Sequence, residues 1–108
     1  MTPETVRSIP PENLPLVKAL LRQFVPQAEV WAYGSRVNGR AHAASDLDLV
    51  LRNPKDLSQK QPDIDELKAA FSESNLPFIV DVLDWARIPE SFHREIEKNH
   101  EVVQEGGE

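Results

Sequence analysis

Cysteine is missing from this chain altogether. That excludes a disulfide framework and a thiolate metal site, and it points to a reducing, cytoplasmic setting. No apolar run approaches the roughly 20 residues needed to cross a bilayer, and the N-terminus lacks the pattern of a secretory leader. Positive charge is also in short supply: 12 Lys and Arg stand against 18 Asp and Glu, a formal net charge of −6. A general nucleic-acid binder presents a basic face, and Arg36, Arg40 and Arg52 are too few to form one, so direct nucleic-acid binding is not expected. Repeats and low-complexity blocks are absent, and no spacing supports a Ser/His/Asp or Cys/His hydrolase. The three histidines, His42, His93 and His100, lack mutual metal-ligand spacing and read as surface residues.

What is present is enough for one compact core: 108 residues, 40% of them hydrophobic, imply a single domain, with loose termini over 1–9 and 104–108. Prolines fall mostly between periodic segments. Pro10-Pro11-Glu12 can start a helix, which Val17, Leu20, Leu21 and Phe24 continue at helical spacing until Pro26 stops it. Residues 29–33 read as a short strand ending at Gly34, residues 35–41 as a short helix or turn containing Asn38-Gly39, and residues 45–52 as a second strand. Asp63 is placed to cap a helix with Ile64, Leu67 and Phe71 on one side. A third strand spans 78–83, a last helix 89–98, and Val102-Val103 adds one short packed segment. The order predicts an α/β fold, a small mixed sheet of three or four strands flanked by helices.

Chemistry concentrates in Gly34-Ser35, followed after ten residues by Asp46-Leu47-Asp48. Residues two apart on a strand share a face, so Asp46 and Asp48 stand together and repel each other unless a cation lies between them. Hard oxygen donors suit Mg²⁺, which commonly accompanies a phosphate-bearing substrate. Asp81 lies within the apolar third strand, where an unpaired buried carboxylate is costly. It has the parity that leaves Val80 and Val82 facing the core, whereas Asp84 has the opposite parity. Three carboxylates around two Mg²⁺ ions make a phosphoryl- or nucleotidyl-transfer site for ATP or another nucleoside triphosphate. Asp46, Asp48 and Asp81 are then the metal ligands and catalytic residues. Gly34 and Ser35 offer a nucleotide-binding turn, with Arg36 offsetting phosphate charge and Ser45, at the start of the second strand, as a further nucleotide-binding residue. The Asp63/Asp65/Glu66 group is the acidic first turn of a helix. Trp31 and Trp85 are core or edge residues, or interface anchors.

Gly34-Ser35, Asp46-x-Asp48 and a later strand Asp81 resemble the nucleotidyltransferase superfamily typified by DNA polymerase β. The short length and the stretches 31–36 and 45–49 are similar to its minimal members, the MNT proteins. That resemblance implies a polymerase β-like core, with Asp46, Asp48 and Asp81 as metal ligands and Gly34 and Ser35 as the nucleotide-binding turn. It also implies a HEPN-domain toxin as partner in a hetero-oligomer, the MNT member acting as antitoxin by moving AMP from ATP to a tyrosine of the toxin. Two other functions compete. One is a non-catalytic module that neutralises its partner by stoichiometric complex formation. The other is a polymerase or tRNA-modifying fragment, which the acidic balance disfavours.

Overall fold

The computed structural model describes residues 6–37 and 45–106. Its elements run α1 (Leu14–Phe24), β1 (Glu29–Tyr33), β2 (Leu47–Arg52), α2 (Ile64–Ser72), β3 (Val80–Asp84), a 3-10 turn at Trp85–Arg87, α3 (Glu90–Lys98) and β4 (Glu101–Glu105). The strands form one mixed sheet in the order β3-β2-β1-β4. β1 is antiparallel to β2 and β4, and β2 is parallel to β3. The α/β prediction with helices flanking a small mixed sheet therefore holds, and the sheet has four strands.

Alternation along the strands separates two apolar layers. Val30, Ala32, Leu47, Leu49, Leu51 and Val82 point to one face, where they pack with Val17 and Leu21 of α1 and Leu67 and Phe71 of α2. In each helix those residues lie four apart, which puts them on one apolar stripe. Trp31, Tyr33 and Val50 point to the other face and pack with Trp85 and with Ile96 of α3. Arg52 lies on this second face, its guanidinium 3.9 Å from the Trp31 ring centre and 4.5 Å from that of Trp85. Glu29 holds it at 2.8 Å across the β1–β2 pair. His93 stacks on Trp85 and His100 on Trp31, each at 3.8 Å. Both are half-buried members of this aromatic layer, not the surface residues expected; His42 lies outside the described residues.

Several boundaries move for identifiable reasons. α1 begins at Leu14 after a turn in which the Pro10 carbonyl accepts from Asn13 and Leu14, and Pro15 occupies its first turn. Asp63 occupies the N-cap position of α2, but its side chain makes no capping hydrogen bond. β3 starts at Val80, not at residue 78, because its parallel partner β2 starts at Leu47.

The expected loose arm is ordered from residue 6 onward. Val6, Ser8 and Ile9 are buried, and the Glu101 carboxylate accepts from the Arg7 and Ser8 amides and the Ser8 hydroxyl at 2.6–2.9 Å. The expected loose tail is likewise strand through Glu105. Gln104 on it donates to the Val25 and Ala28 carbonyls at 2.8 Å each. Sequence periodicity is blind to both, since each depends on a partner some 80–90 residues away.

Candidate active site

The end of β1, the start of β2 and the start of β3 meet at one edge of the sheet. Across the second face, Tyr33 pairs with Asp48, and Asp48 pairs with Asp81. Tyr33, Asp48 and Asp81 thus form a row over three adjacent strands, continuing the layer of Trp31, Val50 and Leu83. Asp48 is half-buried and Asp81 exposed. Leu47, Val80 and Val82 point the other way into the main core, which is the parity anticipated for Asp81. Asp84 has a structural task instead: only 4% exposed, it accepts from the Gln61 and Ala86 amides at 2.9 and 3.3 Å and from Arg87 at 3.3 Å.

Asp46 precedes the first residue of β2, so it stands at the mouth of the row, outside the ladder. It also faces a cavity of about 430 Å³ shared with Lys68 of α2. Burial pushes the Asp48 carboxyl above its ordinary value, and the neighbouring charges of Asp81 and then Asp46 push it further. Burial and the same two partners of the row, Asp48 and Asp81, drive Tyr33 ionisation well above the ordinary tyrosine range. The site is therefore one of concentrated negative charge that resists adding more without a cation.

Gly34 follows Tyr33 with φ +84°, a left-handed backbone that side chains disfavour. A Cβ there would lie 2.5 Å from Asp48 Oδ2. Both reasons require glycine, and the missing side chain leaves the backbone pressed against the carboxylate. The Val37 amide donates to the Gly34 carbonyl at 3.0 Å, closing a turn that carries Ser35 and Arg36. The rest of the 35–41 segment expected as a short helix or turn, including Asn38-Gly39 and Arg40, lies outside the described residues.

Arg36 braces the turn through its guanidinium. Its Nε donates to the Ser45 carbonyl at 2.9 Å and its Nη1 to the Ser8 carbonyl at 3.3 Å, while the guanidinium lies 4.4 Å from the Phe78 ring centre. It ties the Gly-Ser turn to the residue before Asp46 and to the N-terminal arm. Ser45 enters this arrangement through its backbone oxygen. Sequence reasoning missed Tyr33 as a member of the carboxylate row, although its parity with Trp31, two residues before it, was the available signal.

Among the described residues, no three His, Asp or Glu side chains close around a point tightly enough to cage an ion unaided. The donors are a row of hard carboxylate oxygens beside an exposed backbone turn. That chemistry fits Mg²⁺, which is typically held by one or two carboxylates with waters and substrate phosphates completing its shell.

A mixed sheet that carries adjacent carboxylates on parallel strands, opposite a Gly-Ser turn, is a nucleotidyltransferase palm. The family described as "Poly(A) RNA polymerase, mitochondrial-like, central palm domain" matches residues 12–98. A probable protein adenylyltransferase MntA of Haemophilus influenzae is 47% identical over 107 residues, covering 97% of this chain and 90% of that protein. The crystal structure of a toxin–antitoxin with AMP-PNP superposes with a TM-score of 0.68 at 21% identity, covering 86% of this chain and 73% of that one. That of a mutant toxin–antitoxin MntA-HpeT gives 0.68 at 19% identity and the same coverage. The chain belongs to the polymerase β-like nucleotidyltransferases, in the minimal branch that includes MntA.

Proposed function

We propose that this chain is the antitoxin of a toxin–antitoxin pair and transfers AMP from ATP to a hydroxyl of its toxin, a HEPN-type protein with tyrosine as acceptor, in the cytoplasm. The reading is supported by the MntA relative, named a probable protein adenylyltransferase, and by the toxin–antitoxin structures that share the fold. The observation that carries it is the Asp48–Asp81 pair across parallel strands, with the Gly34 backbone against Asp48.

In this reading Asp46, Asp48 and Asp81 would hold two Mg²⁺ ions, which would supply charge neutralisation and lower the pKa of a ligated hydroxyl. The Gly34–Ser35 turn offers backbone N–H groups and a hydroxyl to the phosphates. Asp81 is the exposed member of the row, open to an acceptor arriving from a second protein. It takes the proton from the acceptor hydroxyl. The hydroxyl oxygen then bonds to the α-phosphorus, the bond from that phosphorus to the oxygen leading to the β-phosphate breaks, and pyrophosphate departs with the electron pair. Asp48 sits between Gly34 and Asp81, so its metal-holding role would lie between the turn and the base.

Incubation with the suspected toxin, Mg²⁺ and ATP labelled at the α-phosphate tests this directly. Label should pass to the toxin, and Asp48→Asn should abolish transfer while the protein stays folded. Failure with all four nucleotides and several divalent metals would refute enzymatic transfer. If Asp46→Asn/Asp48→Asn still protected cells fully, stoichiometric capping would replace the catalytic reading.

A further inference from the structure

We infer that the cavity between α3 and the end of β1 receives the terminal phosphate of the nucleotide, with Lys98 as its cation. This rests on the nucleotide-transfer reading above and assigns the polyphosphate end of the same site. The cavity, of about 370 Å³, is lined by Tyr33, Gly34, Phe92, Glu95, Lys98 and Asn99, with Ile96 at its floor. Gly34 belongs both to this cavity and to the turn pressed on Asp48. A polyphosphate chain that has its α-phosphorus over the Asp48–Asp81 row and runs past Gly34 therefore enters it. Phe92, set edge-on to Tyr33 at 5.7 Å, contributes an apolar wall.

A cation there would offset the charge of the terminal phosphate. Asp48 and Asp81 stand side by side in the row with Asp46 at its mouth, and a triphosphate adds several more negative charges. Two arginines near the motif are engaged elsewhere. Arg36 holds the Ser45 and Ser8 carbonyls, and Arg52 is packed on Trp31 and Trp85 with Glu29 as its ion-pair partner. Among the described residues, Lys98 is the cation on the wall of the Gly34 cavity. Its side chain is 73% exposed, and its contact with Glu95 is a loose 3.4 Å, a surface pair that contributes little. A lysine on a flexible stem can leave such a partner for a phosphate, which it binds as a point charge. Asn99 adds an amide donor at the same wall. Glu95 opposes an anion in the cavity, so the structure places an attractive and a repulsive charge on consecutive turns of α3.

The affinities of the full chain for ATP, ADP and AMP, measured in Mg²⁺ by calorimetry, test the assignment. Lys98→Gln should weaken ATP about five- to tenfold and leave AMP within about twofold, because AMP lacks the terminal phosphate. Lys98→Arg should retain ATP affinity, and Glu95→Gln should tighten ATP by about two- to fivefold without affecting AMP. Both residues are exposed, so these variants keep the fold, which circular dichroism verifies. Equal ATP affinity in wild type and Lys98→Gln would overturn the assignment while leaving nucleotide transfer standing. So would parallel loss of ATP and AMP, which would place Lys98 at the nucleoside end. A wild-type protein that binds none of the three nucleotides would remove the nucleotide-transfer reading itself, and this assignment with it.

Discussion

Gly34→Ala probes the closest approach in the site. Its cost has two separable parts. The first is backbone: φ is +84°, and a left-handed conformation costs an L-residue about 1–2 kcal/mol. The second is steric: the new methyl carbon would sit 2.5 Å from Asp48 Oδ2. Forcing it in displaces the carboxylate or the turn, at about 1–3 kcal/mol by analogy with overpacked cores. Together they give about 2–5 kcal/mol, a fall in melting temperature of roughly 8–20 °C for a domain of this size. Thermal unfolding of Gly34→Ala in the wild-type and Asp48→Ala backgrounds separates the parts. Asp48→Ala removes the Oδ2 and Cγ atoms and leaves only the Cβ at 3.5 Å, an ordinary contact. In that background the glycine substitution should retain only the backbone part, so the two changes should be non-additive by about 1–3 kcal/mol. A loss of less than about 2 °C, or the same loss in both backgrounds, would refute the close approach. In the proposed function ATP affinity should also fall with Gly34→Ala, since Asp48 would hold metal and the turn would meet the phosphates.

Asp48→Asn should abolish transfer and yet raise the melting temperature of the metal-free protein at neutral pH by about 1–3 °C, allowing for solvent screening. The folded carboxyl keeps its proton to higher pH than the unfolded one, whose ordinary value is 3.8. Stability therefore falls as pH rises from about that value through the raised one and stays reduced above it. The variant should lack that decline in urea melts with a chelator present. Glu101 gives the opposite sign. Burial pushes its carboxyl up, but the Ser8 hydroxyl, the Arg7 and Ser8 amides and the Arg7 charge outweigh this and leave it below the ordinary 4.5. Its contribution is present above that value and lost as pH falls through the lowered one, so Glu101→Gln should cost about 1 kcal/mol at pH 7 and flatten the acid limb of the stability profile. Arg36→Ala should destabilise by about 2–3 kcal/mol and speed amide hydrogen exchange over Leu47–Val50. Arg36→Lys should not rescue it, because a lysine cannot span two carbonyls with a planar fork; full rescue would disprove the tether.

The legible part of the site was the part written in short-range spacing. Asp48 and Asp81 were readable because strand alternation assigns each side chain a face, and Val80, Val82 and Leu47 announced which face was core. Gly34 was readable as a turn residue, but not the reason it must be glycine, which lies in an oxygen of Asp48 on the neighbouring strand. Arg36 was assigned to phosphate because an arginine beside a Gly-Ser turn has that chemistry available. Its hydrogen bonds to the Ser45 and Ser8 carbonyls depend on loop and arm packing that no local pattern records. His93 and His100 looked like surface residues because no pattern in their spacing records that Trp85 and Trp31 lie against them.

Local patterning was enough to specify the α/β class, most of the element order, the face on which Asp48 and Asp81 stand and the turn at Gly34. These depend on periods of 2 and 3.6 residues and on the conformational habits of glycine and proline. Tertiary structure was needed for the pairing of Asp48 with Asp81, the clasp of the N-terminal arm by Glu101, the duty of Arg36 and the cavity that joins Gly34 to Lys98. Each of those brings together residues far apart in the chain. Their proximity follows from sheet order and helix packing, global outcomes of burying two apolar layers on opposite faces of one sheet.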